Sequence, residues 1–268
     1  MADQNSTLNK KSIEEMRRER LNLPASKLPL VEEHHPAEDF RGSFHWRVFR
    51  IMAEFVDGWQ FLADFGKKSV TFFGSARFPE GTKWYEEARK LGGILAKEGY
   101  NIITGGGPGI MEAGNQGAHE VHEQMGENVA GIGDSIGLNI KLPFEQRINA
   151  YVDKAVAFHY FFVRKVMLSY YAQAYVYFPG GFGTLDEAFE LITLIQTKKI
   201  PSTIPVIFMG KDFWQPCLDW IRLTLLAKYQ AIDAEDMNII RLVDNAEEAA
   251  AIVRAAPLRV SIEQRVNP

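Results

Sequence analysis

Three glycine clusters, each directly after a short apolar run, are the residues best suited to chemistry in this sequence. They are Gly74-Ser75, Gly105–Gly109 and Pro179–Thr184. Glycine tolerates positive φ and lets the backbone approach a ligand closely, so such loops suit phosphate. In an open parallel sheet, ligands bind beyond the carboxyl ends of the strands, beside helix N-termini. We therefore expect the three clusters to line one anion-binding crevice. The alternative is that the glycines only form tight turns.

These loops match neither of two common nucleotide fingerprints. Ile110 stands at the third glycine position of G-x-G-x-x-G, and no loop is followed by Gly-Lys-Ser/Thr. Binding of NAD and hydrolysis of ATP are therefore disfavoured. Asp134, which we place at a strand end, lies farther downstream than the roughly 20 residues expected for a ribose-binding acid. It is better explained as a turn or cap residue.

Charged side chains accompany the third glycine cluster. Asp186, Glu187 and Glu190 fall in the first turns of the helix predicted after it, where carboxylates also suit the helix dipole. Arg164-Lys165 lies within an otherwise apolar helix, which a solvated face explains poorly. This basic pair therefore needs an anion or a carboxylate.

Two other groups of residues are better explained by structure than by chemistry. His119 and His122 do not form His-Glu-x-x-His, and we expect no metal site there. The aromatic runs Tyr160–Phe162 and Tyr170-Tyr171 fit a core or a subunit interface better than a base-stacking surface.

Composition places the chain among ordinary globular proteins. It has 268 residues, of which 46% are hydrophobic and 24% charged. Because the net charge is -4, the chain has no overall positive charge to bind the phosphates of a nucleic acid, and nucleic-acid binding is disfavoured. No apolar run approaches the roughly 18 residues of a membrane span. With Cys217 as its one cysteine and no leader-like start, the chain is expected to be cytoplasmic.

Elements that could position the glycine loops begin at about residue 68, where strand-like runs alternate with helical patterns. The predicted strands cover 70–73, 100–104, 128–132, 174–178, 205–210 and 239–243. Near-continuously apolar strands separated by helices predict an α/β fold: a Rossmann-like, doubly wound parallel sheet with helices on both faces. A helix over about 43–65 adds an N-terminal helical extension. Its acidic polar side favours docking on the core over a membrane surface.

The chain divides, by these patterns, into four parts. We predict a polar, mobile arm over 1–42 and an amphipathic helix docked on the core over 43–66. A single Rossmann-like nucleotide-binding catalytic domain follows over 67–256, and 257–268 form a C-terminal tail.

A family resemblance sharpens this interpretation. Pro179–Glu187 reads P-G-G-F-G-T-L-D-E and resembles the P-G-G-x-G-T-x-x-E motif of the LONELY GUY family, phosphoribohydrolases long mislabelled as lysine decarboxylases. Arg164-Lys165 and Gly105–Glu112 match the other two landmarks of that family. The resemblance spans about Lys68 to Asp244. Within Glu145–Ala150, the prolines expected at 148 and 150 are absent.

The resemblance implies hydrolysis of the N-glycosidic bond of a purine nucleoside 5′-monophosphate, giving free base and ribose 5-phosphate. The base is adenine, as for an AMP nucleosidase, or an N6-substituted adenine, as in cytokinin nucleotides. It further implies a homodimer or higher assembly with the active site near the interface. No cofactor or metal is expected.

Glu187 is the expected catalytic carboxylate, with Asp186 as its local competitor, because a carboxylate beneath the ribose stabilises developing positive charge. Arg164 is assigned to positioning and electrostatics, since an always-charged guanidinium is a poor general acid. The expected substrate-binding residues are Gly74, Ser75, Gly107, Gly109, Met111, Glu112, Lys165, Gly180, Gly181, Phe182, Gly183, Thr184 and Thr193.

Two rival functions remain open. A nucleotide-binding or cofactor-carrier protein on the same fold, similar to molybdenum-cofactor carriers, would need the phosphate loops but not the pairing of Glu187 with Arg164. A decarboxylase would need a lysine Schiff base to pyridoxal phosphate, for which Lys165 gives no separate support.

Overall fold

A seven-stranded, fully parallel sheet forms the centre of the computed structural model, which describes residues 44–63, 68–125, 131–141 and 148–257. The spatial order is β4-β3-β2-β1-β5-β6-β7. The strands are β1 (Ser69–Phe73), β2 (Asn101–Thr104), β3 (Ser135–Ile140), β4 (Lys154–Phe158), β5 (Ala174–Tyr177), β6 (Val206–Met209) and β7 (Ile240–Val243).

Helices cover both faces of this sheet. They are α1 (Phe44–Ala63), α2 (Lys83–Lys97), α3 (Ile110–Met125), α4 (Phe161–Tyr170), α5 (Phe182–Gln196), α6 (Lys211–Trp220) and α7 (Ala246–Ala255). A π-helical segment, Ile221–Lys228, and a 3-10 helix, Ala234–Asn238, follow α6. The doubly wound α/β fold expected from the sequence is therefore confirmed.

Burial explains why most residues of the central strands are apolar. Every residue of β1, β2, β5 and β6 is buried, because helices lie above and below the sheet. Two apolar cores result. One joins the sheet to α2, α3 and α7, and the other joins it to α1, α4, α5 and α6.

The chain reverses its direction of winding at the middle of the sheet. From β1 it builds outward through β2 and β3 to β4, then returns to pair β5 with the other side of β1. A crevice opens at such a switch point, beyond the carboxyl ends of the two strands. The Gly74 and Gly180 clusters follow β1 and β5, so they lie at that crevice.

One strand, β3, was predicted too early in the chain, and another, β4, was missed. Of the predicted strand 128–132, only residues 131 and 132 are described, and they belong to no strand; β3 begins at Ser135. Gly131 has φ +98°, which turns the chain, and the backbone of Gly133 passes close to Tyr100. The missed strand, β4, is an edge strand whose first two residues are exposed, and two of its five residues are alanines, so its strand signal is weak.

Helix α1 matches the predicted N-terminal helix. The chain divides into two compact units, Met1–Val48 and Phe49–Pro268, and the described part of the first is the start of α1. Within the second unit, α1 buries Leu62 and packs Ile51 and Phe55 against the core shared with α4. The predicted arm 1–42, residues 126–130 and 142–147, and the tail from 258 lie outside the described residues.

Candidate active site

The three glycine clusters converge on one cavity of about 600 Å³ at the switch point. Its lining comprises Phe72, Phe73, Gly74, Ser75, Ala76, Arg77, Gly105, Met111, Phe161, Arg164, Leu168, Gly181, Phe182, Gly183, Thr184 and Glu187. The expected shared crevice therefore exists, and it also contains both residues assigned to catalysis.

Backbone hydrogen bonds hold the three loops together. The N–H of Ser75 donates to the carbonyl of Pro179 at 3.0 Å, and the carbonyl of Ser75 accepts from the N–H of Ile110 at 3.1 Å. Gly109 has φ +71°, and a Cβ there would overlap the carbonyl of Ser75. The loops thus form a single preorganised wall that leaves little freedom to be lost when a ligand binds.

The N-terminus of α5 opens into this cavity. Gly181 is its cap residue and offers no side chain, and the first intrahelical bond runs from Leu185 N to Gly181 O at 3.1 Å. The preceding amides therefore have no acceptor inside the helix. A Cβ on Gly181 or Gly183 would meet no atom within 4 Å, so both face open space. Such a helix end suits an anion.

Glu187 is the buried acid of the cavity. It is 5% exposed, and its Oε2 has no hydrogen-bond partner among the described residues. Burial raises the pKa of Glu187 to about 7, although Lys165 and Arg164 act to lower it. An acid with a pKa near neutrality can exchange a proton with a bound reactant at physiological pH.

Arg164 approaches the same cavity from α4. Its guanidinium lies over the ring of Phe161, 4.8 Å from the centroid, and its Nε has no hydrogen-bond partner among the described residues. Burial lowers the pKa of Arg164, and the nearby charge of Glu187 opposes that shift. Gly105 gives the side chain room, since a Cβ there would lie 3.2 Å from Nη1.

Lys165 does not line the cavity. Its Nζ lies 2.8 Å from Asp186 Oδ2 and 3.0 Å from Glu190 Oε2, so it ties α4 to α5. Burial lowers the pKa of Lys165, but the hydrogen bonds to both carboxylates outweigh this and raise it above its ordinary value. The same contacts occupy Asp186, which is 55% exposed and also lies outside the cavity lining.

Four other expected binding residues lie away from the main cavity. Glu112 and Gly109 line a smaller adjoining hollow of about 230 Å³. Thr193 lies on a groove along α5, where its hydroxyl donates to the carbonyl of Phe189 at 2.7 Å. The carbonyl of Gly107 accepts from Asn149 Nδ2 at 3.0 Å.

Gly180 acts on the cavity indirectly. It is absent from the lining, but a Cβ there would overlap the side chain of Thr184, which does line it. The remaining expected binding residues, Gly74, Ser75, Met111, Gly181, Phe182, Gly183 and Thr184, all line the cavity.

Sequence reasoning missed several lining residues. Arg77 lines both the main cavity and the adjoining hollow. Its position two residues after Ser75 in the sequence could have marked it as a cavity residue. Phe161, assigned to a core or an interface, also lines the cavity, where it is 49% exposed. Phe72, Phe73 and Leu168 have no polar signal that could have marked them.

A buried amide network supports the second glycine loop. Asn115 Oδ1 accepts from the hydroxyl of Thr104 at 2.6 Å and from Asn149 Nδ2 at 3.1 Å. Thr104 also accepts from the N–H of Gly106, and Asn149 N–H donates to the carbonyl of Gly106. Asn149, in the segment where prolines were expected, thus fastens its own loop to the glycines.

The other polar candidates have structural partners. Asp134 precedes β3 rather than following a strand, so it lies at the sheet edge opposite the cavity, 3.1 Å from Lys154. His119 lies 2.6 Å from Asp153, and His122 2.9 Å from the carbonyl of Gly133. Within the described ranges, no three His, Cys, Asp or Glu side chains are grouped to hold a metal ion.

Fold and site together define a class: a doubly wound α/β protein with a helix N-terminus and a buried acid at its switch point. A sequence model of the family described as "Possible lysine decarboxylase" matches residues 111–253, more than half of the chain. The chain belongs to this family, which is the LONELY GUY family named above.

The chain is similar in sequence to a plant enzyme and in fold to solved structures of two other proteins. The chain is 28% identical over 178 residues to cytokinin riboside 5′-monophosphate phosphoribohydrolase LOG of Oryza sativa subsp. japonica, covering 65% of this chain and 67% of the relative. The molybdenum cofactor binding protein of Rippkaea orientalis matches with 20% identity and a TM-score of 0.48, covering 70% and 94% of the two chains. The molybdenum cofactor carrier protein of Chlamydomonas reinhardtii matches with 20% identity and a TM-score of 0.49, covering 70% and 97%.

Proposed function

We propose that the protein hydrolyses the N-glycosidic bond of a purine nucleoside 5′-monophosphate, releasing the free base and ribose 5-phosphate. The observation that carries this proposal is the buried carboxyl of Glu187, whose Oε2 is unpartnered in a cavity that also holds an open helix N-terminus. Family membership and the rice phosphoribohydrolase point in the same direction.

The N-terminus of α5 is the proposed phosphate site. Free amides after Gly181 and the hydroxyl of Thr184 can donate to phosphate oxygens, and the helix dipole adds attraction. Glu187 follows one turn later on the same helix. A ligand anchored there by its 5′-phosphate would therefore place its ribose close to this carboxyl.

Glu187 is proposed to act on the ribosyl carbon and on water. As the C1′–N bond breaks, its electron pair goes to the purine nitrogen, and positive charge develops on the sugar. Water forms the new C1′–O bond and gives one proton to the Glu187 carboxylate, while the leaving purine takes a proton from solvent. A pKa of about 7 leaves a large ionised fraction of Glu187 available as this base at neutral pH.

Arg164 is proposed to fix the substrate and stabilise charge. Its buried guanidinium has a donor, Nε, without a partner among the described residues, and it can donate to a sugar hydroxyl or to the departing base. Because it stays charged, it does not supply the leaving-group proton. Arg164 also opposes the rise in the pKa of Glu187 and so keeps part of that carboxyl ionised.

The position of Lys165 argues against a pyridoxal-phosphate decarboxylase. A Schiff-base lysine must reach its carbonyl as a neutral amine. Lys165 instead holds two carboxylates, which raise its pKa, and it does not line the cavity. The proposed reaction needs neither this amine nor a cofactor or metal.

We further propose that the protein works in the cytoplasm, on a small-molecule nucleotide, as a homodimer or higher homo-oligomer. Of the described helices, none is long and apolar enough to cross a membrane. Phe161, Phe162 and Phe182 are exposed at or beside the cavity mouth, Phe182 by 92%, and an apolar rim of this kind fits a subunit interface.

Incubation with AMP, with detection of adenine and ribose 5-phosphate, tests the proposed reaction. We expect release of both products in equal amounts. Nucleotide binding without base release would instead support the carrier alternative, and no binding would overturn both functions. A series of N6-substituted adenosine monophosphates in the same assay would then identify the preferred base.

A further inference from the structure

Helix α1 contacts the beginning of the helix that carries Arg164. Glu54, in the middle of α1, accepts two hydrogen bonds through its two carboxylate oxygens. The N–H of His159 donates to Oε1 at 3.0 Å, and the N–H of Tyr160 donates to Oε2 at 3.1 Å. These are the last two amides before α4, whose cap residue, Tyr160, provides no side-chain cap of its own.

Tyr160 connects Glu54 to Arg164 through its own backbone. Its N–H is held by Glu54, and its carbonyl accepts from the N–H of Arg164 at 3.3 Å in the first turn of α4. The next residue, Phe161, supplies the ring beneath the Arg164 guanidinium. Movement of the Tyr160 backbone would therefore shift both the backbone of Arg164 and the Phe161 ring that supports its guanidinium.

Other contacts of α1 follow α4 toward its end. Gly58 packs closely against two side chains: a Cβ at this position would lie 3.0 Å from Met167 and from Phe158. Trp59 and Tyr170 have ring centroids 6.3 Å apart. These contacts, at the start of α4 and near its end, give α1 a fixed position from which Glu54 can act.

We propose that Glu54 is a positioning residue of the active site, which acts through the backbone of Tyr160 to place the Arg164 guanidinium. This rests on the proposed function, in which Arg164 acts on the substrate. The family match covers residues 111–253, so α1 lies outside the matched range. The buried Nε of Arg164 has no partner among the described residues, so the backbone of α4 must fix much of its position.

Substitution of Glu54 tests the proposal most directly. Glu54→Ala removes both acceptors, and we expect kcat for AMP to fall about tenfold with KM changed less than about twofold, because small misplacements of a catalytic group act on the transition state. Glu54→Gln keeps one acceptor and should recover part of the loss. Asp57→Ala, an exposed acid on the same helix, is the matched control and should leave both constants unchanged. A control variant as slow as Glu54→Ala would contradict the proposal.

A double-mutant cycle separates positioning from a general loss of stability. If Glu54 acts through Arg164, then Glu54→Ala should reduce kcat no further in an Arg164→Ala background. Additive losses in the two variants would overturn the proposal, because a merely structural effect would lower kcat in both backgrounds.

Hydrogen exchange gives a measurement that does not depend on turnover. In Glu54→Ala, the amides of Tyr160 and Arg164 should exchange at least about tenfold faster, while those of β5 keep the wild-type rate. Unchanged exchange at both amides would exclude the proposed contact. If the wild-type protein released no base at all, the proposed function would fail, whereas this exchange result would still decide whether Glu54 holds the start of α4.

Discussion

Arg164 and Glu187 line one cavity with opposite charges, yet each keeps a buried polar atom unpaired. Arg164 Nε and Glu187 Oε2 have no hydrogen-bond partner among the described residues. Unpaired buried polar atoms cost roughly 1 to 3 kcal/mol each and persist where a ligand can satisfy them. The pair is therefore arranged for a bound molecule rather than for the stability of the free protein.

Replacing Glu187 by Gln should remove most base release and leave the protein folded and able to bind AMP. Gln preserves the size of the side chain but cannot take a proton from water, and positioned acid–base groups contribute about 10² to 10⁴-fold. Steady-state kinetics and calorimetric AMP titration measure the two effects. Asp186→Asn is the matched control, since Asp186 contacts Lys165 outside the cavity. A Glu187→Gln variant with more than about a tenth of wild-type kcat would refute the assignment of the catalytic role to Glu187.

The buried carboxyl should also make stability depend on pH. The folded pKa of Glu187 is about 7 against an ordinary 4.5, so the folded state retains a proton that the unfolded state loses. Stability is therefore lost as pH rises from about 4.5 through 7, by about 3 kcal/mol in total. Glu187→Gln should lack this loss, so its free energy of unfolding relative to wild type should be higher at pH 8 than at pH 5.

Urea unfolding of both proteins at the two pH values measures that difference. Other titrating groups are common to wild type and variant and cancel in the comparison. Equal pH dependence in the two proteins would show that Glu187 ionises freely in the folded state.

Gly183 offers a substitution that should affect the ligand and spare the fold. A Cβ at this position would meet no protein atom within 4 Å, and Ala favours a helix over Gly by about 0.8 to 1 kcal/mol. Gly183→Ala should therefore keep or raise Tm while it weakens AMP binding, because the new methyl group lies where the phosphate is proposed to bind. Gly81→Ala cannot serve as the control for this substitution, because Gly81 has φ +81° and an alanine would strain the backbone there. Unchanged AMP affinity in Gly183→Ala would place the phosphate elsewhere.

The pattern of apolar runs and glycines was sufficient to predict the sheet and the position of the cavity. Strands that are buried on both faces are mostly apolar, and parallel strands bring their carboxyl ends to one edge, so three clusters could be placed together without coordinates. The predicted strand 128–132 failed because an apolar run was interrupted by a turn at Gly131, while the true strand β3 contains the buried polar residues Ser135 and Asn139.

Side-chain partners could not be predicted because they depend on contacts between distant segments. Lys165 resembles a ligand-binding residue in the sequence, but the structure pairs it with two carboxylates of α5. Glu54 belongs to a helix that the sequence marks only as amphipathic, and its role depends on amides 105 and 106 residues away. No local sequence pattern indicates a hydrogen bond between residues so far apart in the chain.

The exposed aromatic rim should produce an assembly larger than one chain. Phe161 and Phe162 are each 49% exposed, and Phe182 is 92% exposed. Light scattering at micromolar concentration should therefore give at least twice the mass of one chain, 30.3 kDa. Phe182→Ser should shift the mass toward the monomer if this rim forms the interface. A wild-type mass of one chain would refute the assembly.

Removal of the 5′-phosphate should make the substrate poor. The open amides at the start of α5 can be satisfied by phosphate oxygens, and two charge-assisted hydrogen bonds at about 1.5 kcal/mol each amount to about 3 kcal/mol, on the order of a hundredfold in kcat/KM. Helix-dipole attraction adds about 0.3 to 1 kcal/mol. The measurement compares AMP with adenosine at equal concentration by the adenine released. The same comparison in Gly183→Ala should show a smaller ratio, because that variant weakens the phosphate site alone. Equal rates for AMP and adenosine in wild type would mean that the glycines only form turns, and the proposed phosphoribohydrolase would lose its main support.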